Sequence, residues 1–263
     1  MPCVLVDIDG VLHVSGAPVP GAPEAVARLR EDGHRLRFVT NNTTRARAAL
    51  AADLQGIGVE LDEDEIETTA LAAARRLEGL RVLPLTLKAV HGDLAGHVEL
   101  VDSDADAVLV GGADETDEPE RTFAWSRLDR AFAELEGGAR LVCLHRNRWW
   151  QTAAGPKLDS GAVVAGLEYA AGVEAEVIGK PSPAYFEAAL EALGAEPGET
   201  VMVGDDVEAD VLAAIRLGLH GVLVRTGKFR EATLAAAEPP PDAVLDSIAD
   251  LPDYLARRAE SAA

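Results

Sequence analysis

Short runs of aliphatic residues alternate along the chain with segments in which apolar positions recur every three to four residues. Near the N-terminus, strand-like runs over residues 4–6 and 36–40 alternate with helical patterns over residues 22–32 and 45–55. This alternation is typical of a parallel sheet, because each helix carries the chain back to the edge at which the next strand begins. The N-terminal part therefore predicts a parallel α/β sheet.

The same alternation resumes in the C-terminal part of the chain. Apolar runs within residues 173–180, 199–206 and 221–227 predict strands, and helices are predicted over residues 183–193 and 208–217. The closing segment DAVLDSIADLPDYL predicts one more strand. These elements continue the parallel sheet of the N-terminal part.

The middle of the chain has a different pattern of apolar and polar segments. Its strand-like runs (RVLPLTL, HVELV, AVLVGG and RLVCLH) are separated by long polar stretches, and residues 114–121 and 145–159 are predicted to be loops. We interpret this part as a separate inserted domain. The predicted fold class is α/β, a Rossmann-like parallel-sheet core of residues 1–80 and 176–263 with an inserted α/β cap domain at residues 81–175.

Composition and charge narrow the range of partners. The 45 acidic and 24 basic residues give a net charge of −21, which disfavours nucleic acid and anionic membranes as ligands. The apolar share of 48% is enough for a core, and the acidic excess fits either a GC-rich genome or a salt-adapted surface. Two cysteines, no apolar run long enough for a bilayer and no leader-like segment before Asp7 favour the cytoplasm.

The segment VLVDIDGVL carries the first candidate chemistry. Its apolar strand delivers Asp7 and Asp9 to the carboxyl edge of the predicted sheet, where α/β proteins bind their ligands. Gly10 allows a sharp turn that can bring both carboxylates toward one point. A plain Asp-Gly turn is the alternative, but a carboxylate directly after a buried strand is costly without a cation or hydrogen-bond donors.

Two further strand ends carry polar groups suited to an anion. Thr40 and Asn41 follow the second strand, where a hydroxyl and amide groups suit an anionic oxygen, although a helix N-cap is the alternative. Lys180 follows another apolar strand in VIGKP, and a lysine at such a position is expected to face an anion.

The segment VMVGDDVEAD places Asp205 and Asp206 at a fourth strand end and Asp210 in the first turn of the next helix. Carboxylate oxygens suit Mg²⁺ better than a metal that prefers thiolate or imidazole ligands. Asp210 has helix capping as its alternative. Together, the four strand ends predict one polar site at one edge of the sheet.

In this order, the motifs DIDGV, TNN, GKP and GDDVEAD resemble those of the haloacid dehalogenase superfamily of phosphohydrolases. An insertion between the second and third motifs, with LDSGAVVAGLEYAAG before VIGKP, resembles the class IIA branch, whose members are NagD-like and 4-nitrophenylphosphatase-like. LHRNRWW and VRTGKF are most similar to the phospholysine phosphohistidine inorganic pyrophosphate phosphatase subgroup.

This resemblance implies a role for each matching carboxylate. Asp7 would be the nucleophile that forms an aspartyl-phosphate, and Asp9 would protonate the leaving group and then activate water. Mg²⁺ would be held by Asp7, the backbone carbonyl of Asp9, and Asp205. Asp206 and Asp210 would be helpers, Asp210 as a partner of the metal's waters or of Lys180.

The resemblance also implies the remaining roles. Thr40 and the backbone of Asn41 would bind the phosphoryl oxygens, while Lys180 would neutralise charge and steady Asp7. The insertion would be a cap in which substrate could be read by Arg146, Arg148, Trp149, Trp150 and Asp159. For the tryptophans, cap packing or an oligomer contact is the alternative, and His145 is interpreted as structural.

The resulting prediction is a Mg²⁺-dependent phosphatase for a small phosphorylated metabolite or pyrophosphate, with homodimerisation through the cap as the implied assembly. The alternatives are a phosphosugar mutase or another phosphotransferase on the same framework, and a catalytically idle phosphate-binding protein. A receiver-like signalling domain is opposed by the large insertion and by Asp9.

Overall fold

The computed structural model describes residues 2–152 and 155–262, which form two compact units. Unit 1 takes the described residues of Met1–Thr40, Ala48–Glu67 and Phe186–Ala263, and unit 2 takes Asn41–Arg47 and those of Thr68–Tyr185. Each unit has its own hydrophobic core.

The limits of unit 2 differ from the residues 81–175 predicted for the insertion. Residues 68–80 and 176–185 group with unit 2, and side-chain contacts explain why. The Thr68 hydroxyl donates a hydrogen bond of 2.5 Å to Asp93, and Arg140 donates one of 2.5 Å to Glu176. The flanking segments are therefore tied to the insertion's own side chains.

The strands are short, as is usual for α/β proteins. In chain order they are β1 (Cys3–Asp7), β2 (His13–Val14), β3 (Ala17–Pro18), β4 (Leu36–Thr40), β5 (Ile66–Thr68), β6 (Arg81–Leu85), β7 (Glu99–Leu100), β8 (Ala107–Val110), β9 (Arg140–Cys143), β10 (Trp149–Thr152), β11 (Gly155–Leu158), β12 (Glu176–Val177), β13 (Thr200–Gly204), β14 (His220–Val224) and β15 (Ala243–Leu245).

The helices between them are α1 (Ala22–Glu31), α2 (Arg47–Gly56), α3 (Thr69–Arg76), α4 (His91–Leu94), α5 (Glu118–Thr122), α6 (Trp125–Glu136), α7 (Gly161–Ala171), α8 (Pro183–Leu193), α9 (Ala213–Arg216), α10 (Glu231–Ala235) and α11 (Leu251–Ala262). Shorter 3₁₀ turns cover Glu63–Glu65, Lys88–Val90, Pro197–Glu199 and Ile248–Asp250, and a π-helical turn covers Val207–Leu212. Among the described residues, no helix has both the length and the apolar character that crossing a bilayer requires.

Unit 1 is built on a six-stranded sheet in the order β15-β14-β13-β1-β4-β5. Strand β1 lies near its centre and pairs in parallel with β13 and β4, with Val6 opposite Val203 on one side and Phe38 on the other. All five residues of β1 are buried, so this strand reads as a continuous apolar run up to Asp7. The parallel order puts the carboxyl ends of β1, β4 and β13 at one edge.

Unit 2 contains a second parallel sheet, of five strands, in the order β12-β9-β8-β6-β7. Its first strand in the chain, β6, lies between its second, β7, and its third, β8. Helices α6 and α7 cover it through a core that includes Ala131, Leu135, Val164 and Leu167.

A hairpin of β10 and β11 also belongs to unit 2, with Trp149 opposite Leu158 and Trp150 opposite Lys157. The predicted loop over residues 145–159 is therefore wrong for these two strands. Polar residues and the Gly-Pro pair at 155–156 mask the strand pattern, and antiparallel pairing stabilises the segment instead. Residues 153 and 154 lie outside the described residues.

Candidate active site

Asp7 stands at the carboxyl end of the central strand of unit 1. Its side chain is buried, with only 4% exposed, and the next residue is tied to the neighbouring strand by a hydrogen bond of 3.1 Å from the Ile8 N–H to the Val39 carbonyl. The strand pairings place Asp7 beside the ends of β4 and β13. A carboxylate held here in low-dielectric surroundings requires positive charge or hydrogen-bond donors nearby.

Asp205 follows β13 directly and packs between two glycine-containing turns. Gly10 has φ +90° and Gly227 has φ +56°, both in the left-handed region. A β-carbon on Gly10 would lie 1.8 Å from Asp205 Oδ2, and one on Gly227 would lie 1.9 Å from the same oxygen. The Lys228 N–H donates a hydrogen bond of 2.6 Å to that oxygen. The two backbone turns therefore approach the carboxylate more closely than they could if either glycine carried a side chain.

Asp7, Asp205 and Asp210 form a buried acidic cluster. One carboxylate oxygen of each lies within 4.8 Å of the others, and Asp205 and Asp210 are each 1% exposed. Asp210 comes from the π-helical turn after β13, and its Oδ2 accepts a hydrogen bond of 3.1 Å from the Asp206 N–H. The turn thus folds the Asp210 carboxylate back toward the strand end.

Asp206 has a different role in the structure. Its Oδ1 accepts hydrogen bonds from the Glu208 N–H at 3.1 Å and the Ala209 N–H at 3.0 Å. It is therefore the N-cap of the turn that carries Asp210, which is the usual work of an aspartate at this position. The structure places Asp206 outside the cluster of three carboxylates.

Asp9 and Thr40 face each other at the same edge of unit 1. The Thr40 hydroxyl donates a hydrogen bond of 3.4 Å to Asp9 Oδ2, and His13 Nε2 lies 3.8 Å from Asp9 Oδ1. The Asp9 side chain is 54% exposed, in contrast to the buried Asp7. Two carboxylates two residues apart thus occupy different environments, which suits different chemical roles.

Lys228 is a site residue that the sequence analysis missed. Partial removal from water acts to lower the pKa of its ammonium, but the carboxylates of Asp7, Asp205 and Asp210 outweigh this and hold that pKa above its usual value. It is one of four lysines in the chain and follows β14, the neighbour of β13. A lysine just after a predicted strand, in a chain with few lysines, was the sequence feature that could have identified it.

Asn41 and Lys180 are joined within unit 2. The Asn41 amide donates to the Lys180 carbonyl at 2.9 Å, and its Oδ1 accepts from the Lys180 N–H, also at 2.9 Å. Lys180 is 7% exposed. The two motif residues therefore fix each other through a reciprocal pair of hydrogen bonds, so the Asn41 side chain positions the lysine backbone.

The remaining candidates also lie in unit 2. His145 is buried, with Nε2 at 3.1 Å from the Thr43 hydroxyl and 3.9 Å from Asp159 Oδ1. Burial lowers the pKa of this imidazole, although Asp159 opposes the shift. Arg146 donates to Glu168 at 2.7 Å, and the Arg148 carbonyl accepts from the Asp159 N–H at 3.2 Å.

The tryptophans occupy successive positions of β10. Trp149 is 55% exposed, whereas Trp150 is half-buried. Successive strand residues point to opposite faces, so the two rings do not form one surface.

The acidic cluster fits a divalent cation of the magnesium type. All its donors are carboxylate oxygens, the hard ligands that Mg²⁺ prefers. Three carboxylates buried side by side repel one another, and a bound divalent cation would relieve that repulsion. The close approach of Gly10 and Gly227 keeps Asp205 in place for such a ligand.

Comparisons with known proteins agree with this geometry. The family model described as haloacid dehalogenase-like hydrolase matches residues 4–94, and the HAD-hydrolase-like model matches residues 177–251. Human phospholysine phosphohistidine inorganic pyrophosphate phosphatase is 37% identical to the chain, covering 98% of the chain and 95% of that protein. Bovine haloacid dehalogenase-like hydrolase domain-containing protein 2 is 38% identical, covering 96% and 95%.

Solved structures give the same result. The p-nitrophenyl phosphatase from Archaeoglobus fulgidus superposes with a TM-score of 0.85 at 29% identity and covers 96% of this chain and 98% of its own. NagD from E. coli K-12 superposes with a TM-score of 0.84 at 29% identity and covers 95% and 98%. The predicted α/β core with a cap-type insertion is thereby confirmed.

The chain is accordingly a phosphoric monoester hydrolase. With more than a third of its residues identical to those of its relatives over nearly its whole length, it belongs to the haloacid dehalogenase superfamily, in the class IIA branch.

Proposed function

We propose that this phosphatase is Mg²⁺-dependent and hydrolyses a small phosphorylated metabolite or pyrophosphate through an aspartyl-phosphate on Asp7. The observation that carries the proposal is the burial of Asp7 at the end of the central strand, within 4.8 Å of the carboxylates of Asp205 and Asp210. A buried carboxylate beside a cation site is well placed to attack an electron-poor phosphorus atom.

In the first step, a carboxylate oxygen of Asp7 forms a bond to phosphorus as the bond from phosphorus to the leaving oxygen breaks. Asp9 gives its proton to that leaving oxygen. The 54% exposure of the Asp9 side chain supports this role, since a general acid must reach a group that enters from solvent. The Thr40 hydroxyl, 3.4 Å from Asp9, orients the carboxyl group.

In the second step, the Asp9 carboxylate takes a proton from water. The water oxygen bonds to phosphorus, the bond from phosphorus to Asp7 breaks, and orthophosphate leaves while Asp7 is regenerated as a carboxylate. Atoms and charge balance with water as the co-substrate and without an oxidant.

Mg²⁺ would be held by Asp7, Asp205 and the backbone carbonyl of Asp9, with Asp210 supporting its waters. When bound, it supplies positive charge that neutralises the phosphoryl oxygens. As the resemblance to the family implies, Thr40 and the backbone of Asn41 would bind these oxygens, and Lys180 would neutralise charge and steady Asp7. Lys228 joins this set because its ammonium interacts with the same carboxylates.

The proposed substrate class is taken from the relatives of the chain. Phosphatases of this family act on small phosphorylated compounds, and two relatives are named as an inorganic pyrophosphate phosphatase and a p-nitrophenyl phosphatase. We extend that class to this chain, together with homodimerisation through the cap and a cytoplasmic location. A net charge of −21 is consistent with a small ligand held by local positive charge.

The test is phosphate release from 4-nitrophenyl phosphate and from a panel of pyrophosphate, nucleoside monophosphates, sugar phosphates, pyridoxal phosphate and phosphoamino acids. We expect activity with Mg²⁺, its loss with EDTA, and a fall of roughly 10³-fold or more in kcat for Asp7→Asn. Asp206→Asn is the matched control, since an asparagine can still accept the two capping hydrogen bonds.

Unchanged activity in Asp7→Asn would remove the nucleophile from the mechanism. Accumulation of an isomer rather than orthophosphate from a sugar phosphate would indicate a mutase. Absence of turnover across the panel with Mg²⁺ would favour a phosphate-binding protein.

A further inference from the structure

Unit 2 contains a cavity of about 370 Å³ that the phosphatase mechanism does not use. It is lined by Thr86, Lys88 and His91, which follow β6, and by Asp117, Glu118, Arg121 and Arg127, which follow β8. None of these residues belongs to the haloacid dehalogenase motifs. The cavity lies wholly within one unit, so its walls are set by the fold of the insertion alone.

The cavity lies where the sheet of unit 2 reverses its strand order. From β6 the chain proceeds to β7 on one side and then crosses to β8 on the other side of β6. Thr86 follows β6, and the segment with Glu118 and Arg121 follows β8. Loops that leave adjacent parallel strands in opposite directions open a crevice at the carboxyl edge, which is the usual ligand position in open α/β sheets.

Cations outnumber acids in this crevice, with Lys88, Arg121 and Arg127 against Asp117 and Glu118, although the whole chain carries −21. Arg121 pairs with Asp117 at 2.5 Å, and the Glu118 carboxylate accepts from the Lys88 backbone N–H at 2.6 Å. Across residues 2–152 and 155–262, no carboxylate lies within 4 Å of the Lys88 ammonium. Asp117 and Glu118 therefore leave the ammonium group of Lys88 available to a ligand.

Arg127 adds a third cation from helix α6. Its Nη2 donates to the Pro84 carbonyl at 2.5 Å, which holds the guanidinium at the end of β6, and its Nη1 lies 3.9 Å from the Asp102 carboxylate. Its Nε is buried and has no hydrogen-bond partner among the described atoms. A guanidinium fixed in this way is a preorganised donor for an oxyanion.

His91 reports on the charge in the crevice. Its Nε2 lies 3.1 Å from the Thr86 hydroxyl, and Thr86 itself is 4% exposed. Burial lowers the pKa of His91, and Arg127 and Lys88 lower it further, while a hydrogen bond with the Thr86 backbone and the charge of Glu118 oppose the shift. A bound anion would reverse the effect of the two cations.

We propose that this crevice is a second ligand site of the protein, which binds a phosphate group or a small oxyanion of similar charge through Lys88, Arg121 and Arg127. The proposal does not depend on the phosphatase mechanism, because it uses none of its residues. The ligand is either free orthophosphate or the phosphate group of an organic molecule, and both share the same recognition chemistry.

The experiment follows the ring protons of His91 by NMR in the full chain, with His91→Gln assigning the signal. Orthophosphate is one probe, and phenylphosphonate, which cannot be hydrolysed at its carbon–phosphorus bond, is the other. We expect a saturable shift and an increase in the pKa of His91 with either probe. Tighter binding of phenylphosphonate would identify an organic ligand, and equal or weaker binding would identify free phosphate.

Lys88→Gln should weaken binding roughly tenfold, since one charge-assisted contact is lost while the backbone contact to Glu118 remains. Arg121→Gln should have a similar effect, and it replaces Lys88→Gln as the test if that variant folds poorly. Arg130→Gln is the matched control, because Arg130 lies on the same helix as Arg127 and donates to the Asp102 carbonyl at 3.2 Å instead of lining the cavity.

The proposal fails if His91 does not respond to either probe. It also fails if Arg130→Gln weakens the response as much as Lys88→Gln does, since that would reflect general charge screening. Phosphate release measured in the same variants keeps the two proposals apart, because Lys88→Gln should retain the activity that Asp7→Asn loses.

Discussion

The backbone of Gly10 lies so close to the carboxylate of Asp205 that a β-carbon on the glycine would be 1.8 Å from Oδ2. Gly10→Ala must therefore displace Asp205, and with it the acidic cluster. We expect phosphate release to fall by roughly two orders of magnitude or more, because small displacements of reacting groups have effects of that size. The measurement is kcat and the Mg²⁺ concentration for half-maximal rate.

Gly16→Ala is the control for backbone strain. Gly16 has φ +82°, close to the φ of +90° at Gly10, but a β-carbon there would meet nothing within 4 Å. It carries the same conformational cost without the collision. Equal losses in both variants would contradict a specific role for the contact with Asp205.

Asp210 offers a test of the metal site. We expect Asp210→Asn to raise the Mg²⁺ concentration for half-maximal rate about 10- to 100-fold, because groups that support metal ligands contribute about that much to affinity. The effect should shrink at saturating Mg²⁺. A loss of kcat that Mg²⁺ does not restore would assign Asp210 to the chemistry rather than to the metal.

Three histidines predict how stability depends on pH. Burial lowers the pKa of His91 and His145 in unit 2 and of His220 in unit 1 below the ordinary value of 6.5, with Arg258 adding to the shift at His220. The folded state then binds fewer protons than the unfolded state, so the contribution to stability is full above the unfolded pKa. It is lost progressively as the pH falls through 6.5 toward the folded pKa values.

The measurement is the free energy of unfolding between about pH 7.5 and about pH 5.5, where each histidine can change it by at most about 1.4 kcal/mol per pH unit. His145→Gln should remove part of this dependence from the transition of unit 2, where His91 contributes the rest, and His220→Gln should flatten it for that of unit 1. The carboxylates with lowered pKa, Glu65 and Glu176, act below their ordinary 4.5 and so outside this window. Stability that rises on acidification would contradict the prediction.

The sequence alone was sufficient to predict which residues end the central strands. Asp7, Thr40 and Asp205 follow apolar runs directly, and parallel pairing brings such ends together whatever the details of the loops. The position of Asp210 was harder to predict, because a π-helical turn directs its carboxylate back to the cluster. No local pattern distinguishes that turn from an ordinary helix start.

Other features depend on strand order, which the residues of a single segment do not encode. Lys228 reaches the carboxylates because β14 pairs with β13, and the crevice in unit 2 exists because β6 lies between β7 and β8. The hairpin at Trp149 was missed because its sequence lacks the alternation that marks a strand. In each case, long-range pairing overrides local propensity.

The central position of β1 has a consequence for synthesis of the chain on the ribosome. One of its neighbours, β4, is available once residue 40 has been made, but the other is β13, which begins at Thr200. At typical translation speeds the nascent strand waits roughly 10–30 s for that partner. Unit 2 has all its residues by position 185, so it is the first part able to complete its core. Asp7 and Asp205 first meet near the end of translation, and the enzyme acquires its active site only then.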